Sequence, residues 1–386
     1  MKAPPPTNPR PPFHRRRLWR GFTLVEIMVS TAILSLLLML VISVLDQTQR
    51  SWQQSRSRVE QFRDARVAFE LLTRNLSQAT LNTYWDYFYV GQDPPNQPPP
   101  VTDGAAPQPP DAYMRMSELQ FRVDQTTNLL SGNAAQRPGH AVFFQAPLGL
   151  TVNPEYRSLS NLLNARGYFV QFGSDEDLRP GFLGASIEPR HRYRLFEYRP
   201  PAEAFTAGGQ SYQGNTIYVN PDGWYQDDVD LVSRPIADNI ILLMISPQVS
   251  EEATAARQPP NNVPYWIAPQ YRYNSLDPDN STSTIAPVTV DPDTSRLNQG
   301  TQHLMPPLLK VTMVALDEAS AQRWNEDNNN TAVDILQQAN APFTNVANYD
   351  DDLERLQDYL NDQRLNYRVF TSTVGIRSAK WDGRTF

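Results

Sequence analysis

Residues 22–45 form an apolar run of 24 with a single charge, Glu26. No other feature narrows the folding options so much. About 20 apolar residues let a helix cross a bilayer, and only a structure that satisfies its own backbone can sit in lipid. The flanks are unequal. Lys2, Arg10, Arg15, Arg16, Arg17 and Arg20 precede the run with no acid among them, and Asp46 follows it. Positive-inside bias predicts a cytoplasmic N-terminus and a body on the other side. Three readings are open. A removable secretory signal wants a shorter apolar core and a small-residue cleavage site after it, whereas Asp46-Gln47-Thr48-Gln49-Arg50 follows here. A plain membrane anchor requires only the run itself. The third reading turns on the junction Arg20-Gly21-Phe22-Thr23-Leu24-Val25-Glu26.

A carboxylate in an apolar helix costs about 2.5–3.5 kcal/mol near the membrane centre and less near its edge, so it is normally paired or functional. Glu26 lies four residues past Phe22. It reads either as a snorkelling interfacial acid or as the partner of a cation. The junction resembles the class III signal of type IV pilins and type II secretion pseudopilins. A basic leader ends in Gly21, Phe22 follows, a carboxylate stands fifth past the bond, and an unbroken apolar helix continues. The resemblance implies cleavage after Gly21 by a membrane-embedded prepilin peptidase that also methylates Phe22. The helix would stay on the mature protein, which would assemble with other pilin-like subunits through an inner-membrane assembly platform. Glu26 would then pair with the α-amino group of a neighbouring subunit's Phe22.

The helical pattern outlasts the apolar run. Trp52, Val59, Phe62, Ala65, Phe69, Leu72, Leu76 and Ala79 recur at spacings of seven, three and four, and charged residues fill the other positions. That is one apolar stripe at helical period, and it predicts a single helix from Phe22 to about Thr83. The stripe packs either on its own domain or, as a coiled-coil seam, on a partner. The aromatic cluster 84–90 then reads as a helix exit or a first strand buried on the core, with a ligand-stacking platform as the alternative.

The 34 Pro of the chain exceed ordinary usage and predict long loops, chiefly at 93–110 and 248–300. Short runs with strand character lie between them, at 118–123, 141–145, 167–172, 193–198, 216–219, 239–245, 310–316 and 366–374. Residues 240–245 and 308–314 read as the most buried, and 193–198 as an edge. Helical stretches are expected at 317–324, 332–338 and 351–366. The expected organisation is a leader (1–21), a membrane or filament-core helix (22–45), an amphipathic helix (46–83) and a globular body (84–386). The fold class is α+β, a long N-terminal helix followed by an antiparallel-rich sheet domain.

Chemistry-bearing motifs are scarce. The chain has no Cys, which excludes disulfides, thiolate metal sites and Cys nucleophiles. Its four His, at 14, 140, 191 and 303, have no metal-ligand spacing. There is no nucleophile elbow, phosphate loop or dinucleotide fingerprint. No catalytic residue, resident metal or cofactor is expected. The one open cofactor question is a structural calcium ion, for which the clusters Asp227-Asp228-Val229-Asp230, Asp277-Pro278-Asp279-Asn280 and Asp291-Pro292-Asp293 supply oxygen donors. Solvated turn carboxylates are the alternative. The net charge is −7, and removing the six leader cations leaves −13. An acidic body argues against a nucleic-acid partner, although Arg190, Arg192, Arg194 and Arg199 cluster locally.

Two narrower resemblances follow. Residues 64–76 resemble the Ala-Arg-rich helix of J-type minor pseudopilins. Residues 75–85, 239–247, 268–273 and 305–319 resemble the Verru_Chthon cassette protein C family of prepilin-like proteins. These imply a non-enzymatic structural subunit, minor or at a tip, of a type IV pilus or a type II secretion-like pseudopilus. The implied location is the inner membrane, single-pass, with the body outside the cytoplasm, and then the filament. A tip-displayed module that captures DNA, a surface or secretion cargo is the other class.

Overall fold

The computed structural model describes residues 23–101, 106–159, 161–179, 188–207, 210–212, 214, 223–226, 229–257, 263–280, 289–290, 297–379 and 381. The fold is α+β, an N-terminal apolar helix followed by antiparallel sheets. The chain divides into two compact units, Met1–Arg58 and Val59–Phe386.

The first unit contributes most of helix α1, Leu24–Gln61. Its segment Leu24–Leu45 has a mean hydropathy of 2.6 and none of it is buried. Three hydroxyls in this stretch turn back on the helix. Ser30 Oγ donates to Glu26 O at 2.7 Å, Thr31 Oγ1 to Ile27 O at 3.0 Å, and Ser35 Oγ to Thr31 O. This back-bonding is how a helix carries Ser and Thr without unmet donors.

The expected single helix to Thr83 is two helices. Phe62, at φ −95° and ψ 4°, separates α1 from α2, Arg63–Leu76. Helix α2 ends early because the chain turns toward a sheet, where Thr80 N donates to Gln145 O at 2.9 Å. From Phe62 onward the apolar stripe packs on its own domain. Ala65, Ala68, Phe69, Leu72 and Leu76 are all buried, and Phe69 lies 5.8 Å from Phe370, ring to ring. Trp52 and Val59 have side chains outside the described set.

The body is built on a six-stranded antiparallel sheet. Its central strands are β3 (Arg122–Gln125), β4 (His140–Pro147), β5 (Leu163–Ser174) and β6 (His191–Tyr198), flanked by Tyr273–Asn274 on one side and Ser233–Asp238 on the other. Alternation along β4 and β5 sends Phe144 and Tyr168 to one face and Phe143 and Phe169 to the other. The first face meets α2 and a three-stranded antiparallel sheet, Ile240–Gln248, Leu308–Leu316 and Tyr367–Gly375. The second meets Trp224 and Tyr225, with Tyr225 stacked 4.0 Å from Phe143. Strands covered on both faces read as continuous apolar runs, which is why 240–245 and 308–314 stood out in the sequence.

Three expectations change. Strand β6 is interior, paired with β5 and with Ser233–Asp238. Its imperfect alternation suggested an edge, but its polar Arg194 is held by Asp238 across the strand pair, as is Arg192. Residues 263–280 are not a surface loop, since Ile267, Ala268, Tyr271 and Tyr273 are buried. The third change concerns the aromatic segment Tyr84–Phe88. It is a strand, β1, paired with β2 (Ala112–Met116) as a two-stranded ribbon, yet Trp85 is 68% exposed and Tyr87 50%. An isolated ribbon has one face and both edges beyond any core, so aromatic content alone did not bury it. The strand expected at 216–219 lies outside the described residues.

Candidate functional site

The candidate site is the start of α1. Gly21 and Phe22 lie outside the described residues, and Glu26 lies in the first helical turn with its side chain exposed. Thr23 sets that turn. Its carbonyl accepts from Glu26 N at 3.0 Å and Ile27 N at 3.2 Å, and its hydroxyl Oγ1 accepts from Glu26 N at 3.2 Å. Thr23-Leu24-Val25-Glu26 therefore has the sequence of a capping box, with the Thr as N-cap and the acid at the third helical position. The cap role of Thr23 was legible in this Thr-x-x-Glu spacing and escaped the sequence reading. An acid in the first turn also suits the positive end of the helix dipole. Glu26 is thus held at the mouth of the apolar helix, within one turn of its start.

From Ile27 to Leu45 the helix carries only apolar side chains and four hydroxyls, of which Ser30, Thr31 and Ser35 bond back to the helix. Leu24 is 74% exposed and Met39 75%. Large contiguous apolar surface on a helix marks a membrane or protein contact.

Residues 20–42 match the prokaryotic N-terminal methylation motif. The chain therefore carries a prepilin-like N-terminus. No curated protein and no solved structure matches the chain. A prepilin-like N-terminus implies processing by a prepilin peptidase and assembly with other pilin-like subunits. It fits a single-pass inner-membrane protein and suggests a structural subunit rather than an enzyme.

The other sequence candidates fall as follows. Two arginines of the basic cluster, Arg192 and Arg194 on β6, are neutralised in place. Arg192 bonds Asp238 and Glu318, both at 2.9 Å, and Arg194 reaches Asp238 at 3.0 Å. Arg199 stands 3.9 Å from Glu197. Of the acidic clusters, Asp227, Asp228, Asp291 and Asp293 lie outside the described residues. Asp230 faces Arg137 at 3.6 Å. Asp277 accepts from Arg272 Nη2 at 2.6 Å and from Asn274 Nδ2 at 3.2 Å. Asn280 closes the same turn on Asn274 and Thr301. Asp277 and Asn280 hold a buried turn together with protein partners. Among the described residues no three His, Asp or Glu converge as metal ligands.

His14 lies outside the described residues. His140 is buried against Tyr271, with ring centroids 4.7 Å apart, and its Nδ1 lies 3.2 Å from the backbone of Ile245. His191 stacks on Phe172 at 6.2 Å. His303 is buried at a φ of 56°. These are packing positions in three different parts of the body. An open cleft of about 720 Å³ is lined by polar side chains, among them Arg122, Asp124, Gln125, Gln270 and Arg272. Asp124 is held there by Gln125 N and Asn128 Nδ2.

Proposed function

We propose that the chain is a pilin-like structural subunit, cut after Gly21, methylated on Phe22 and assembled through its retained helix into a type IV pilus or a secretion pseudopilus. The match of residues 20–42 to the methylation motif carries this reading. The helix Leu24–Leu45, wholly unburied within its own chain, supports it. In the proposed sequence of events the helix waits in the inner membrane with the body outside the cytoplasm. Trimming then exposes a charged amine at Phe22, and Glu26 of an adjacent subunit pairs with it. In lipid or among packed helices such a pair relieves the cost of both charges. The size of the body and its Pro-rich loops favour a minor subunit. Membership of the Verru_Chthon cassette protein C group is part of the same proposal and rests on residues 75–85, 239–247, 268–273 and 305–319.

Mass spectrometry of the purified protein's N-terminus tests the processing. Methyl-Phe22 is the expected species, and an intact Met1 or a start beyond Leu45 overturns the proposal. Glu26→Val is expected to leave cleavage intact and to reduce recovery of co-assembled pilin-like subunits in a pull-down about tenfold, an effect of about 1.4 kcal/mol. Undiminished co-assembly removes Glu26 from the role.

A further inference from the structure

The open cleft of about 720 Å³ lies where the six-stranded sheet is incomplete. Strand β4 pairs with all four residues of β3, but on the other side Tyr273–Asn274 covers only Arg122 and Val123. Before Arg272 the chain leaves the sheet. Tyr271, at φ 62°, donates its N–H to Ala268 O at 3.0 Å and so belongs to a turn. The second half of β3, Asp124 and Gln125, therefore has no strand on its outer side among the described residues. The cleft opens there, lined by Asp124 and Gln125 from β3 and by Gln270 and Arg272 from the departing chain.

Successive residues of an antiparallel strand turn their N–H and C=O to opposite neighbours. Phe121 O accepts from Ser275 N at 2.9 Å on the outer side, and Thr126 N donates to Gly139 O at 2.9 Å on the β4 side. Counting from either, Gln125 points its backbone outward, into the gap. Its N–H is taken by Asp124 Oδ1 at 2.7 Å, whereas its carbonyl oxygen accepts no hydrogen bond among the described residues. Carboxamides surround that carbonyl. The side chains of Gln125 and Gln270 make no hydrogen bond among the described residues. Asn128 commits its Nδ2 to Asp124 and leaves its Oδ1, while Asn345 commits its Oδ1 to Ala347 N and leaves its Nδ2.

The charges cancel. Arg272 is paired with Asp277 at 2.6 Å, and Arg122 shares a face of β3 with Asp124. A neutral lining offers an anionic chain no counter-charge. Among the described residues lining the cleft there is no aromatic ring, so a nucleobase has nothing to stack on. The lining instead presents donors and acceptors together, as a peptide backbone does. The backbone geometry decides among uncharged ligands. An extended peptide brings an N–H to Gln125 O at the spacing of adjacent strands, about 4.8 Å, and its remaining amides meet the carboxamides. A strand added to an open sheet edge takes its affinity from such main-chain bonds.

We propose that the cleft is a docking slot for an extended, uncharged peptide segment of another protein, laid beside Gln125 as the strand that Tyr273–Asn274 does not supply. The site does not depend on the filament reading, because binding is read on the purified chain whatever its N-terminus.

The test uses the full chain in detergent and a mixture of acetylated, amidated hexapeptides built from Ser, Thr, Asn, Gln, Val and Tyr. Capture on the immobilised chain, read by mass spectrometry, selects the tightest sequence, and calorimetry gives its Kd. At least one hexapeptide is expected to bind. The same sequence N-methylated at alternate peptide bonds keeps its side chains and loses backbone donors, and is expected to bind about tenfold more weakly. Gln270→Trp and Thr344→Trp fill the cleft from exposed positions, and each is expected to weaken binding about tenfold without moving the melting curve. Capture of no hexapeptide overturns the proposal, as does binding that survives N-methylation or that both tryptophan variants retain. Maltohexaose or an acidic hexapeptide bound more tightly than every uncharged one also overturns it.

Discussion

Lowering the pH from 7 to 4.5 is expected to cost the sheet domain about 5 kcal/mol before the bulk of its carboxylates take up protons. Two histidines drive this. Burial pushes the His140 imidazole down to about 4, against backbone hydrogen bonds to Ile245 and Phe343 that favour the charged ring. Burial also pushes His303 down to about 4, and the nearby Arg115 guanidinium adds to it. In the unfolded chain both rings titrate near 6.5. Between about 6.5 and 4 the unfolded state therefore binds more protons, and stability falls as pH falls through that window. At 1.36 kcal/mol per unit, each ring accounts for about 3 kcal/mol once the pH reaches 4. Together they amount to the low end of an ordinary domain's stability, about 5–15 kcal/mol. Asp352 works in the opposite direction, since burial raises its carboxyl and protonation there favours the folded form.

The measurement is the denaturant midpoint of the full chain in detergent as a function of pH. His303→Asn should remove about half of the slope, Asn being at ease at a φ of 56°. A midpoint that stays level from pH 7 to 4.5 refutes the account.

Replacing Glu197 with Ala is expected to cost about 3–5 kcal/mol, the usual result of leaving a buried charge without its partner. Glu197 lies on β6 beneath the C-terminal turn of α2. Its Oε1 accepts from Tyr168 at 2.8 Å and from Asn75 Nδ2 at 3.4 Å, and Arg166 Nε stands 3.7 Å away. Asn75 also donates to the Tyr168 hydroxyl at 2.7 Å. Burial and the Glu197 carboxylate together raise the Tyr168 phenol well above its ordinary value, so it remains a donor at any working pH. The side chain of Arg166 is only 9% exposed. Without Glu197 that buried charge has no carboxylate beside it, and two further donors lose an acceptor. The double change Glu197→Met with Arg166→Met should recover most of the loss, because well-packed apolar groups replace buried ion pairs at little cost. Thermal melts of the single and double variants decide the matter. A loss under about 1 kcal/mol from Glu197→Ala would show that water reaches the pair.

The local periodicities were legible because burial follows them. The stripe through Phe69, Leu72 and Leu76 became the buried face of α2, and the apolar runs at 240–245 and 308–314 became paired inner strands. What escaped reading depended on partners distant in sequence. Arg192 and Arg194 looked like part of a local basic cluster until Asp238 and Glu318 came beside them. The polar stretch at 263–280 looked like loop, yet Asn280 and Thr301 satisfy its backbone and one another inside the body, and Ser275 Oγ accepts from Phe121 N. Tyr84–Phe88 looked like core because aromatic residues usually are, and nothing in its composition told which strand would cover it. At the candidate site Glu26 was conspicuous as a charge among apolar residues, whereas the Thr23 cap was overlooked beside it.

The hydroxyls of Ser30, Thr31 and Ser35 carry one more implication. A rod on which these three hydroxyls are answered internally makes no demand for them on whichever greasy medium surrounds it. Exchanging acyl tails for the flanks of sister rods leaves those internal bonds untouched and alters only dispersion contacts. On the proposed reading, discrimination between the two settings falls to Glu26, the single ionisable group among Leu24–Leu45.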